Sequence, residues 1–136
     1  MRLSKLARQL PPRLTTGGYI LHSGLDKWRV GDEHAAGLHG TAANAFPFLK
    51  RIPPARFVRL LSTAEIVTGT LLLAPVVPAG VAGAALTAFS ASMLTMYLRT
   101  PAMHKPGSIW PTPAGMGIAK DSWMLGIGLA LLAEEA

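Results

Sequence analysis

Residues 55–74 read ARFVRLLSTAEIVTGTLLLA, and PVVP follows at 75–78. The first stretch is apolar apart from Arg56, Arg59, Glu65 and a few hydroxyls, and it has the length that crosses a bilayer as a helix, about 20 residues. The two prolines remove backbone donors and disfavour helix in the residue ahead of each, so the chain should reverse at PVVP. Behind the reversal, residues 77–98 form a second apolar run rich in Ala, Gly, Ser and Thr. Gly80, Gly83, Ala84, Ala88 and Ser92 put small residues at roughly four-residue spacing, which lets helices approach closely in lipid.

Outward from this hairpin lie two further candidate spans, 14–30 (LTTGGYILHSGLDKWRV) and 120–133 (KDSWMLGIGLALLA). Ahead of the first, residues 2–10 predict a short amphipathic helix. Leu3, Leu6, Ala7 and Leu10 share one face and Arg2, Lys5 and Arg8 the other, and Pro11 and Pro12 are expected to end it. Residues 31–54 read as a long loop with room for one surface helix. Residues 99–119 hold four prolines and three glycines and read as a second loop. The expected fold is a single all-α domain over 1–136, an antiparallel bundle of four transmembrane helices.

Composition agrees. Half of the 136 residues are hydrophobic and only 15% are charged, against about 25% in soluble domains. Mean hydropathy is +0.35. These values predict a multi-pass protein of the plasma membrane, and the Ala-, Gly-, Pro- and Arg-rich usage suggests a bacterial source. The start of the chain is a poor secretory signal: His22 interrupts the apolar run, and no clear cleavage site follows. The net charge of +6 comes from Lys and Arg outside the apolar runs, which favours an anionic lipid surface over nucleic acid as partner. There is no cysteine, which excludes disulfides, thiolate nucleophiles and Cys-ligated metal from this chain. Redox work would need a bound cofactor, a quinone or a partner. His34, His39 and His104 have no metal-ligand spacing, so no metal is expected, and no residue is assigned a catalytic role.

An even number of spans puts both termini on one side and the two loops on the other. The charged helix ends then gather at one face: Asp26, Lys27 and Arg29, then Arg56 and Arg59, Arg99, and Lys120 with Asp121. Four of the thirteen Lys and Arg lie in the N-terminal segment (Arg2, Lys5, Arg8, Arg13) and nine at the loop face. The positive-inside rule therefore pulls in opposite directions, and orientation stays open.

Glu65 is the sharpest chemical signal. A charged residue at the centre of a span costs about 2.5–3.5 kcal/mol on insertion scales, so it needs a partner, a proton or a wet cavity. His22 should lie at similar depth, and a His22–Glu65 hydrogen bond would satisfy both. Two readings follow: a polar clasp that fixes helix packing, which is preferred, or a site that handles protons or a quinone headgroup. Asp26 and Lys27 are expected to face Lys120 and Asp121, stapling the first helix to the fourth.

Three stretches together carry a resemblance. GGYILHSGLDKW, STAEIVTGTLLLAP and IAKDSWMLGIGLALL resemble the first, second and fourth helices of the DoxX family, through Gly24 with Lys27, Glu65 with Gly69, and Lys120 with Asp121. The resemblance implies a four-helix integral membrane protein of the plasma membrane. The family's namesake is a small subunit of a thiosulfate:quinone oxidoreductase, and several members look like partners of redox proteins. The functional expectation is an accessory or scaffold subunit of a membrane redox or envelope complex, bound to protein partners or to copies of itself. The alternative is a quinone-binding, proton-handling subunit of a membrane oxidoreductase. A solute transporter is less favoured, since four short spans leave little room for alternating access.

Overall fold

The computed structural model describes residues 3–134; Arg2 and the side chain of Leu3, both placed in the amphipathic pattern above, lie outside the described part. Every regular element among the described residues is helical: α1 (Leu3–Lys27), α2 (Asp32–Ala45), α3 (Pro54–Leu73), α4 (Ala79–Arg99), α5 (Met116–Ala119) and α6 (Asp121–Glu134), with 3₁₀ turns at Pro47–Arg51 and Pro101–Met103. The reversal at PVVP is present between α3 and α4. The first loop contains α2, and the second is ordered by bonds such as Thr112 N–H to the Met103 carbonyl and Tyr97 O–H to the Ile109 carbonyl.

Among the described helices, two are long and apolar enough to cross a membrane: Ala79–Arg99 and the run Met116–Glu134 that joins α5 to α6. The second of these is apolar yet largely uncovered by the rest of the chain. α1 and α3 are as long but more polar.

The long helices pack as two antiparallel pairs, α1 on α3 and α4 on α6. Both pairs depend on missing side chains. A Cβ on Gly69 would lie 2.7 Å from the Leu21 amide nitrogen and 2.9 Å from the Gly17 carbonyl oxygen. A Cβ on Gly83 would lie 2.8 Å from the Gly128 carbonyl oxygen. The buried stripe of α4 includes Ala79, Ala82, Gly83, Leu86 and Ser90, whereas Ala84, Ala88 and Ser92 lie off it. The small-residue pattern thus works through Gly83, because α6 meets that face with Gly128 and Leu131.

The N-terminal segment corrects one expectation. There is no separate amphipathic helix ended by prolines; α1 runs through Pro11 and Pro12 without interruption. A proline in a helix interior removes the bond to the carbonyl four residues back. Here those carbonyls belong to Ala7 and Arg8, both on the exposed side. Tertiary contacts then hold the helix in line on either side of the prolines. Before them, Arg8 reaches Glu134 at 3.4 Å. Behind them, Arg13 is 2% exposed and donates to four carbonyls.

Sequence alone places that arginine in a basic N-terminal segment; the fold gives it a structural task. Its Nε bonds the Leu72 carbonyl at 2.8 Å, Nη2 bonds those of Leu71 and Ala74 at 2.8 Å each, and Nη1 bonds that of Val77 at 2.9 Å. The last carbonyls of a helix have no partner within it, and a cation is favoured at that end of the dipole. Arg13 therefore caps α3 and braces the PVVP turn. Ile20, Leu72, Ala79, Ala82, Leu86 and Leu131 form the core beside it.

Arg13→Met should destabilise the protein by about 2–4 kcal/mol, since bonds to a charged donor are lost and buried carbonyls are left unpaired. Arg13→Lys should recover only part of this, an ammonium lacking the planar fork. Gly69→Ala should cost about 1–3 kcal/mol by overpacking. Thermal unfolding in mild detergent measures all three.

Candidate functional site

α1 and α6 barely touch, so a gap remains between the two helix pairs. It forms a cleft of about 790 Å³, inside the range of about 300–1,000 Å³ seen for small-molecule sites. Phe57 and Leu61 of α3 and Phe89 and Met93 of α4 give it apolar walls, and Met124 and Ile127 of α6 complete them. Methionine is unbranched and adapts to irregular shapes. Residues of α2 and Met103 close the loop-bearing end.

Charged and polar groups of the cleft converge from three helices, among them Ser23 and Lys27 of α1, Glu65 of α3 and Asp121 of α6, with Lys120 beside it. Glu65 is 2% exposed. The Lys27 ammonium lies 3.0 Å from Glu65 Oε1 and donates to Ser23 Oγ at 2.6 Å. Lys27 is the last residue of α1, where the helix dipole favours a cation, and Asp121 opens α6, where it favours an anion. Gly24 sets the distance. A Cβ there would be 2.9 Å from Ile66 Cγ1 and 3.0 Å from Glu65 Cβ, so only glycine lets α1 come close enough for the next turn to reach the acid.

The expected His22–Glu65 bond does not form. His22 is exposed and belongs to an outward face with Asp26, whereas Tyr19, although exposed, borders the cleft. The inward stripe of α1 is Thr16, Ile20, Ser23 and Lys27, and at about 100° per residue His22 lies roughly 200° round from Ile20. The expected staple between Asp26–Lys27 and Lys120–Asp121 is also replaced. Lys27 turns to Glu65 instead. Asp26 and Lys120 are exposed and join no ion pair among the described residues, and Lys120 and Asp121 both line the cleft. The ion pairs found among the described residues are Lys27–Glu65 and Arg8–Glu134, so α1 and α6 are tied at the opposite end from the one expected.

The other histidines named above have local partners where they are packed. His39 bonds the Leu49 carbonyl through Nε2 at 2.8 Å and meets the Phe57 ring edge-on, and His104 packs beside Tyr97. Among the described residues no three His, Cys, Asp or Glu are grouped to hold a metal ion. In comparisons with family models, with curated proteins and with solved structures, nothing matches the chain.

Lys27→Met should lower stability by about 3 kcal/mol or more, because it leaves an uncompensated carboxylate in a buried setting. The double variant Lys27→Met/Glu65→Leu should recover most of that loss, since a buried ion pair is often replaceable by packed apolar groups. A double-mutant cycle by thermal unfolding checks this, and additive losses would contradict it.

Proposed function

We propose that the chain is a four-span integral membrane protein of the DoxX type in the plasma membrane, and that it holds a quinone in the cleft between its helix pairs as a small subunit of a membrane oxidoreductase. The observation that carries the reading is the cleft itself: apolar walls of suitable volume leading to the Lys27–Glu65 ion pair and Asp121. The outward surface supports the bilayer part. Leu60 and Val67 of α3, Val81 and Leu98 of α4 and Leu129 of α6 are each more than half exposed, and apolar surface on this scale marks an interaction with lipid or protein. α1 and α3 complete the four spans if Arg13 and the Lys27–Glu65 pair keep their charges turned inward, as intramembrane ionisable groups do.

The residues present fit such a ligand. Bound there, a quinone supplies two-electron, two-proton chemistry, with a protein partner as the electron donor. Lys27 has a donor for a quinone carbonyl, and Glu65 and Asp121 are carboxyl groups able to pass protons at that end of the cleft. The chain itself, lacking cysteine, serves as the binding and proton-delivering element, and mild-detergent purification should recover the electron-donating partner in stoichiometric amount.

Trp123 lines the cleft and offers a direct readout. Titration of a short-chain quinone into the reconstituted protein should quench tryptophan fluorescence with saturation. Glu65→Gln should weaken binding by about tenfold, the loss of one charge-assisted contact of about 1.4 kcal/mol. Equal binding by both proteins, or none by either, sinks the assignment.

A further inference from the structure

All three tryptophans lie at the loop-bearing end of the bundle: Trp28 just after α1, Trp110 in the second loop and Trp123 in the first turn of α6, with exposures of 43%, 69% and 70%. Phe48 and Ile109 stand out at the same end, 64% and 71% exposed. The cations follow the aromatics. Of the nine Lys and Arg at this end, Lys27 alone is in an ion pair among the described residues, and the other eight, from Arg29 to Lys120, are exposed. Arg59 stacks over the Trp28 ring at 4.1 Å, and Arg99 over Phe46 at 5.3 Å.

The opposite end is different. Arg13 is buried against the α3 carbonyls, and Arg8 pairs with Glu134. Lys5 is half-buried, and no tryptophan occurs there. The balance that the linear sequence leaves undecided is therefore broken by the fold: two of the four N-terminal cations already have partners within the protein.

Resting on the membrane reading above, the geometry points to the loop-bearing end as a surface that docks into an anionic lipid headgroup layer, and hence to that end facing the cytoplasm. Amphipathic indole rings settle at the headgroup level, and exposed Lys and Arg are drawn to the anionic cytoplasmic leaflet. Loops as short as these obey the positive-inside rule, and this end carries nine of the thirteen basic residues. The start of α1 and the end of α6 then face away from the cytoplasm.

The absence of cysteine makes the test clean. Ser4→Cys and Ala102→Cys each alter an exposed position, one at either end. In spheroplasts of bacteria expressing the protein, a membrane-impermeant maleimide should label Ser4→Cys from outside and Ala102→Cys only after lysis. The reverse pattern, or the same pattern for both variants, overturns the orientation. Carbonate extraction of the same membranes tells this failure from failure of the span assignment, since a chain released to the supernatant removes the membrane reading and this inference with it. A second arm tests the lipid chemistry. Vesicles of phosphatidylcholine with added phosphatidylglycerol should raise the melting temperature over phosphatidylcholine alone, and Lys50→Gln/Arg51→Gln/Lys105→Gln should shrink that rise. An equal rise in both proteins, or none, overturns the headgroup contact.

Discussion

The close approach of α1 to α3 is the constraint on which the remaining geometry rests. Gly17 and Gly24 on one helix and Gly69 on the other let two backbones meet with little between them. That single register delivers two charges to their places. At one end Arg13 arrives at the unpaired carbonyls of α3; at the other, Lys27 arrives at Glu65. Neither charge would be tolerable without its partner in an apolar setting, so backbone contact and charge compensation support each other. Side chains larger than hydrogen at these glycines would move both interactions at once.

The second pair, α4 with α6, is built by the same device through Gly83 and Gly128, with no ion pair between its helices among the described residues. The two pairs are joined by the PVVP turn and by α2, while their outer helices meet only sparsely. The cleft is the result. Three helices bring its charged groups together, and its apolar walls are supplied by both pairs. A ligand belongs at this seam because that is where the protein's own packing is incomplete.

Much of the helical layout is legible in the residues. Long apolar runs bounded by prolines and charges locate α3 and α4 to within a few residues, and the double-proline reversal can be read directly. Pro11 and Pro12 mislead because the local penalty of proline is fixed, whereas the compensation, through Arg13 and Arg8, comes from groups distant in the chain. Glu65 stands out by its place in an apolar run, but depth alone cannot choose its partner. Helical phase decides the matter: Lys27 shares the inward face with Ile20 and His22 does not. Arg13 is the least legible residue, since nothing in a basic N-terminal stretch distinguishes a cap from a tail.

The unequal polarity of the four long helices has a consequence for biogenesis. α4 and the Met116–Glu134 run are apolar enough to partition into a bilayer one at a time. α1 and α3 fall short of that, and each brings a charge that the other neutralises. For a chain that crosses the membrane as proposed, α1 must linger at the translocon until α3 has been synthesised. The ion pair would then act as a checkpoint during synthesis, and a chain that lost it would be expected to stall before any mature bundle exists.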